Sequence, residues 1–313
     1  MTTTTTGALS RRRFLYTGLA ALGTAVVTPR YALAQTDRAI GTPTVLAFEG
    51  SALLAATAKG LHRHDGAGWS RLNEESPSAL ATHPGRPGVI FTGSREGHIQ
   101  RSTDGGQSWT SAAAGLPGAA VLSLTIGARA PETLYAALEG DGLWRSEDDG
   151  ANWELVMDRP YLEGTEHDVL SLVSVAHETG MGGIWLYAGT TAGLTRVPDC
   201  FCRWQDVVAG DALDALVAGK QPEKAASLPA DAPVQILALA PEAPETLYAA
   251  LPTGLWRSSD AGVNWAQAHS EPLSALAVNP ADALHLIAAH SGELRVSKDG
   301  GTTWTSFDPI KES

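Results

Sequence analysis

Residues 146–153 read Ser146-Glu147-Asp148-Asp149-Gly150-Ala151-Asn152-Trp153. This Ser-x-Asp-x-Gly-x-x-Trp string decides the fold because it recurs. Three further copies are complete: Ser102, Asp104, Gly106 and Trp109; Ser258, Asp260, Gly262 and Trp265; Ser297, Asp299, Gly301 and Trp304. Two are degenerate. His64-Asp65-Gly66-Ala67-Gly68-Trp69 is one residue short between Asp and Trp. Asp199-Cys200-Phe201-Cys202-Arg203-Trp204 keeps that spacing but places Phe201 where glycine belongs. Six of the nine tryptophans fall in these strings, a concentration that chance does not produce.

The flanks repeat as well. Gly142-Leu143-Trp144-Arg145 and Gly254-Leu255-Trp256-Arg257 precede two of the strings. Before them stand Thr133-Leu134-Tyr135-Ala136-Ala137 and Thr246-Leu247-Tyr248-Ala249-Ala250, and before those the apolar runs Val121–Leu124 and Ile236–Leu239. A short strand follows each Trp. Each unit thus predicts four strands, A to D, with the string as the C-to-D turn. One such unit cannot bury both faces, but units stacked around an axis can. Six units of about 45 residues have the size of propeller blades. The expectation is an all-β, six-bladed β-propeller over 35–313. A seventh blade is the alternative if residues 205–233 hide one, though they read better as an insertion with a short helix at 211–217.

The string is a structural device. Glycine takes up a backbone conformation that other residues resist. The Asp and Ser side chains satisfy turn amides. Trp packs between strands, contributing about 2–3 kcal/mol by burial.

The N-terminus belongs to a different class of signal. Ser10-Arg11-Arg12-Arg13-Phe14-Leu15 resembles a twin-arginine export motif, a mildly apolar run reaches Val27, and Ala32-Leu33-Ala34 offers a small-x-small cleavage site. Residues 1–34 are therefore expected to be a signal peptide, and the mature protein periplasmic or extracellular, with no membrane span. Taking its four arginines from the 22 basic residues leaves 18 against 34 acids, a net charge of −16. So acidic a chain is a poor partner for nucleic acid.

The strings, their place before strand D, and the run from Pro241 to Ala249 resemble the Asp-box (bacterial neuraminidase repeat) propellers. That group includes sialidases, sortilin-type receptors, xyloglucan-active glycosidases and photosystem II stability/assembly factor-like proteins. The resemblance covers the mature chain and implies fold more than function. Sialidases carry an Arg-Ile-Pro segment that is missing here. Tyr135, Tyr187 and Tyr248 occupy one repeat position, which leaves Tyr161 as the tyrosine off the pattern in residues 35–313. The xyloglucan enzymes resemble two tandem propellers. Size and repeat texture are most similar to the assembly-factor-like group, which implies a protein partner, here in the cell envelope.

Loops D-to-A and B-to-C of such a meander share one face; loops A-to-B and C-to-D share the other. On the first face, Glu163, Glu166 and Asp168 form the densest acidic cluster. Paired carboxylates there would suit a glycoside hydrolase, or a divalent cation. On the second face, His177 and Met181 are expected beside Cys200 and Cys202. Those groups suit copper or zinc, a disulfide, or thiol–disulfide exchange.

Overall fold

The computed structural model describes residues 40–176, 183–207, 219, 226–230 and 232–307. The expected signal peptide, His177, Met181 and the expected helix at 211–217 lie outside the described residues. Within them, no helix is long and apolar enough to cross a membrane.

Six four-stranded antiparallel blades form a six-bladed propeller, each blade made of four consecutive strands. The A strands are Pro43–Glu49, Ala79–Thr82, Val121–Ile126, Val169–Val175, Ile236–Leu239 and Ala275–Asn279. They neighbour one another in a closed ring, first against last included. Strand D of blade four is Gln205–Asp206, paired with Arg196 and Thr195. The stretch expected as an insertion from Gln205 therefore gives its first residues to the blade, for the reason that holds elsewhere: strand D starts at or directly after the turn tryptophan.

The core is divided into six apolar wedges, one between each pair of neighbouring blades. Strand B lies deepest. Leu134–Leu138 and Leu247–Leu251 are buried at every position because both faces meet another blade. The wedge between blades one and two is the thinnest, with Leu54, Leu61 and Ile90 as its buried residues. There the buried Glu49 accepts a 2.7 Å ion pair from Arg63 and a 2.7 Å hydrogen bond from Gly88 N–H. Inter-blade polar links run along the A strands. Thr82 donates to Phe48 O at 2.6 Å, Ser78 to Val121 O at 2.7 Å and Ser171 to Val234 O at 3.2 Å. Such hydroxyls serve carbonyls that no neighbouring strand can reach.

The serine, aspartate and glycine of the repeated turn share the same core hydrogen bonds in its four complete copies, while the indole N–H goes to the motif glycine O in three and to Ala112 O from Trp153. In blade three, Ser146 Oγ donates to Asp148 Oδ1 at 2.9 Å and accepts from Gly150 N–H at 2.8 Å. Asp148 Oδ1 accepts Asn152 N–H, and Oδ2 accepts the Asn152 amide. In blades two and six, Ser108 and Thr303 hydroxyls replace that amide. These donors favour the ionised carboxylate, so Asp104 and Asp299 are lowered to about 2. Two consecutive residues in each turn are left-handed: Gly105 and Gly106, Asp149 and Gly150, Ala261 and Gly262, Gly300 and Gly301. The first of each pair donates its N–H to the A-to-B side of its own blade, as Asp149 does to Glu132 O at 3.0 Å. This bond joins the two loop types on one face.

Among the described residues the ring closes by packing, without an exchanged strand. Ser274 Oγ reaches Pro43 O at 3.4 Å, and Phe307, after the last strand, meets His64 edge-on at 5.6 Å. His64 is buried against Trp69 as well. Burial lowers its pKa below 6.5, opposed in part by Asp65. A His with a lowered folded-state pKa gives stability that is complete above pH 6.5 and is lost as pH falls toward the folded value. His83 shifts in the same direction, by burial and the nearby Arg86. The depressed carboxylates act only below about pH 4. Melting temperature is thus expected to drop as pH falls below 6.5, and a His64→Leu variant to lose its share of that drop. An unchanged slope in the variant would place the titration elsewhere.

Candidate functional site

Three places invite chemistry: the axial channel, the acidic hairpin ahead of blade four, and the blade-four turn. The channel holds two cavities, about 200 Å³ toward the face of the repeated turns and about 170 Å³ toward the other. All six A strands line it. Its walls are apolar side chains such as Leu46, Leu80, Leu124 and Leu276, with hydroxyls at Ser78, Ser123 and Ser171. Those hydroxyls hold inter-blade links, Ser123 by accepting Leu172 N–H at 2.9 Å. No carboxylate is among the lining residues.

Glu163, Glu166 and Asp168 belong to a feature the repeat does not contain. Tyr161–Leu162 and Thr165–Glu166 pair as a small hairpin between blades three and four. Glu163 and Gly164 are its two turn residues, and both are left-handed (φ 51° and 87°). That is the turn whose twist matches paired strands. Arg159 clamps the hairpin's base, gripping Glu166 with one nitrogen and Asp168, at 3.3 Å, with the other. Asp168 Oδ1 also accepts Gly140 N–H at 2.9 Å from the B-to-C turn of blade three. His167 joins in, with Nδ1 2.8 Å from Thr191 Oγ1 and Nε2 3.2 Å from Leu162 O. A general acid for glycosidic cleavage needs a carboxyl kept protonated by burial. Here both acids share one guanidinium, and the Glu166 side chain is 51% exposed. The hairpin presents Tyr161, which is 68% exposed and donates its hydroxyl to Gly164 O at 2.7 Å. Sequence reasoning missed Arg159. Its signal was an arginine off the strand-C repeat position, just ahead of Pro160.

The repeat tyrosines are structural. Tyr187 donates to Ala261 O at 2.6 Å and Tyr248 to Ala283 O at 2.7 Å, each carbonyl on the next blade. Burial pushes Tyr135 up to about 12. Strand-C arginines also reach across blades: Arg101 joins Arg86 on Asp149. On the first face, His290 Nε2 stands 3.0 Å and His269 Nε2 3.7 Å from Glu271 Oε2. Among the described residues, no group of three or more His, Cys, Asp or Glu is placed to hold a metal.

Blade four breaks the turn. Cys200 and Cys202 form a disulfide, so neither sulfur stands as a free thiolate ligand. Phe201 occupies the glycine position with φ 50°. Its ring lies 5.5 Å from the Arg145 guanidinium and 5.9 Å from the Tyr135 ring, in the wedge toward blade three. Its N–H donates to Pro198 O at 2.9 Å, and Trp204 Nε1 donates to Asp158 O at 2.8 Å. Asp199 no longer organises the turn; its buried Oδ1 has no hydrogen-bond partner. A bridge over so short a loop restrains the unfolded chain by only about 1.5 kcal/mol.

No family model matches the chain, and no curated protein matches it. Solved structures do. A xyloglucanase of glycoside hydrolase family GH74 from Xanthomonas campestris aligns with TM-score 0.54 at 19% identity, over 84% of this chain and 52% of that one. The GH74 enzyme of Niastella koreensis aligns with TM-score 0.57 at 16% identity, over 85% and 45%. YCF48 from Cyanidioschyzon merolae aligns with TM-score 0.49 at 16% identity, over 86% of each chain. The chain spans about half the length of the GH74 enzymes it matches. At these identities the likeness is one of fold, and that fold is the β-propeller.

Proposed function

We propose that this chain is an exported, non-catalytic Asp-box propeller that docks a partner protein through the 161–166 hairpin. The observation that carries the reading is Tyr161, displayed at 68% exposure on a base held by Arg159, Asp168 and His167. A tyrosine gives large contact area at little conformational cost, and tyrosines are enriched where binding energy concentrates. A clamped hairpin also loses little further freedom on binding. The turn hydrogen bonds support the Asp-box assignment. The arginine-led N-terminus supports twin-arginine export, and with it an envelope partner outside the cytoplasm.

The acids that a glycosidase would need act here as hairpin braces. Removing them should weaken docking and leave polysaccharide turnover where it was. For an Asp168→Asn, Glu166→Gln double variant, reduced recovery of the envelope complex is expected, with no hydrolysis of xyloglucan or other β-glucans by either protein. Hydrolysis by the wild type that the double variant abolishes would overturn the reading in favour of a glycoside hydrolase.

A further inference from the structure

We propose that the Cys200–Cys202 bridge is a thiol–disulfide exchange centre, taking the dithiol of a protein or peptide as its substrate. The inference stands apart from the hairpin reading and uses the opposite face.

Three observations carry it. Both cysteines are exposed, so an attacking thiolate can reach either sulfur. The bridge also sits where the complete turns need no covalent closure: Ser146, Asp148 and Gly150 hold blade three's turn by hydrogen bonds alone. Finally, the blade-four turn has its own anchors. Phe201 is fixed between Arg145 and Tyr135, Phe201 N–H is bonded to Pro198 O, and Trp204 is tied to Asp158 O. With the bridge open, those anchors keep the two thiols neighbours. The exposed Arg203, next to Cys202, supplies positive charge that favours a thiolate there. Exposed disulfides are the labile ones, and closing so short a loop adds little stability.

The exchange balances without a further cofactor. A substrate thiolate attacks one sulfur of the bridge. The Cys200–Cys202 bond breaks, a mixed disulfide forms, and the other cysteine leaves as thiolate. The substrate's second thiol, deprotonated, then attacks the mixed disulfide. The substrate departs as a disulfide and the turn is left as a dithiol, having gained two electrons and two protons. A second disulfide, small or protein-borne, reverses these steps and restores the bridge.

The test uses the whole protein and two probes, oxidised glutathione and a peptide with two reduced cysteines. Thiols are counted by alkylation and mass spectrometry while near-ultraviolet circular dichroism follows the fold. The expected result is equimolar conversion of the peptide to its disulfide, with the propeller signal retained. A Cys200→Ser variant should trap a mixed disulfide with oxidised glutathione at Cys202. A bridge that resists excess peptide dithiol in the folded protein would overturn the proposal. So would reduction that collapses the fold, because the bridge would then be a structural staple. The exchange is measured on the isolated protein with the peptide alone and no envelope partner, which keeps this outcome independent of docking.

Discussion

Trp265→Ala is expected to destabilise the propeller by about 3–5 kcal/mol, read by denaturant unfolding. Trp265 is 5% exposed and lies in the wedge between blades four and five, with Val173, Tyr187 and Leu247. Its indole N–H is satisfied inside its own turn, by Gly262 O at 2.8 Å, and its backbone N–H by Ala226 O at 2.7 Å. Truncation therefore empties a large apolar volume and leaves Gly262 O without its donor. The same change at Trp109 serves as the comparison. Trp109 is only partly buried, against the thin wedge of blades one and two, and should cost clearly less. Equal losses at the two sites would mean that wedge packing does not set the cost.

Gly254→Ala should cost a further amount of the same order, about 3 kcal/mol or more. Strand C of blade five begins there at φ 121°, and an added Cβ would stand 2.1 Å from His269 O. Backbone cannot move aside as a flexible side chain can. Gly193 begins strand C of blade four, also with positive φ, but has nothing within 4 Å of an added Cβ. Gly193→Ala meets conformational strain alone, about 1 kcal/mol. The pair thus separates steric approach from backbone preference in one protein, by thermal unfolding. Matching shifts would refute the close contact at His269.

Much of this architecture was legible because one short string repeats and each copy implies its flanks. Blade number followed from counting the degenerate copies at Trp69 and Trp204 as turns, and the four-stranded order from the runs around Tyr135 and Tyr248. The left-handed position just ahead of the motif glycine was not legible. Asp149 and Ala261 occupy it, and neither residue type announces that conformation. The turn compensates through recurrent hydrogen bonds, which only three-dimensional pairing reveals. The acidic stretch 163–168 was legible as a cluster but not as a hairpin base. Its meaning depends on Arg159, whose two partners are seven and nine residues away and meet it only once Glu163-Gly164 turns the chain. At blade four, the break in the pattern at Phe201 was plain. Its consequence, a ring wedged between Arg145 and Tyr135, needed the neighbouring blade.

The central claim is that binding resides in the hairpin tip and that the acids beneath it are braces. Recovery of the envelope complex by wild type and Tyr161→Ala, with melting temperature recorded on both, tests it most directly. The account predicts that Tyr161→Ala keeps its melting temperature, since the side chain touches little of the fold, and loses about 2 kcal/mol or more of partner affinity, roughly 30-fold. Undiminished recovery of the complex by the folded Tyr161→Ala variant would contradict it.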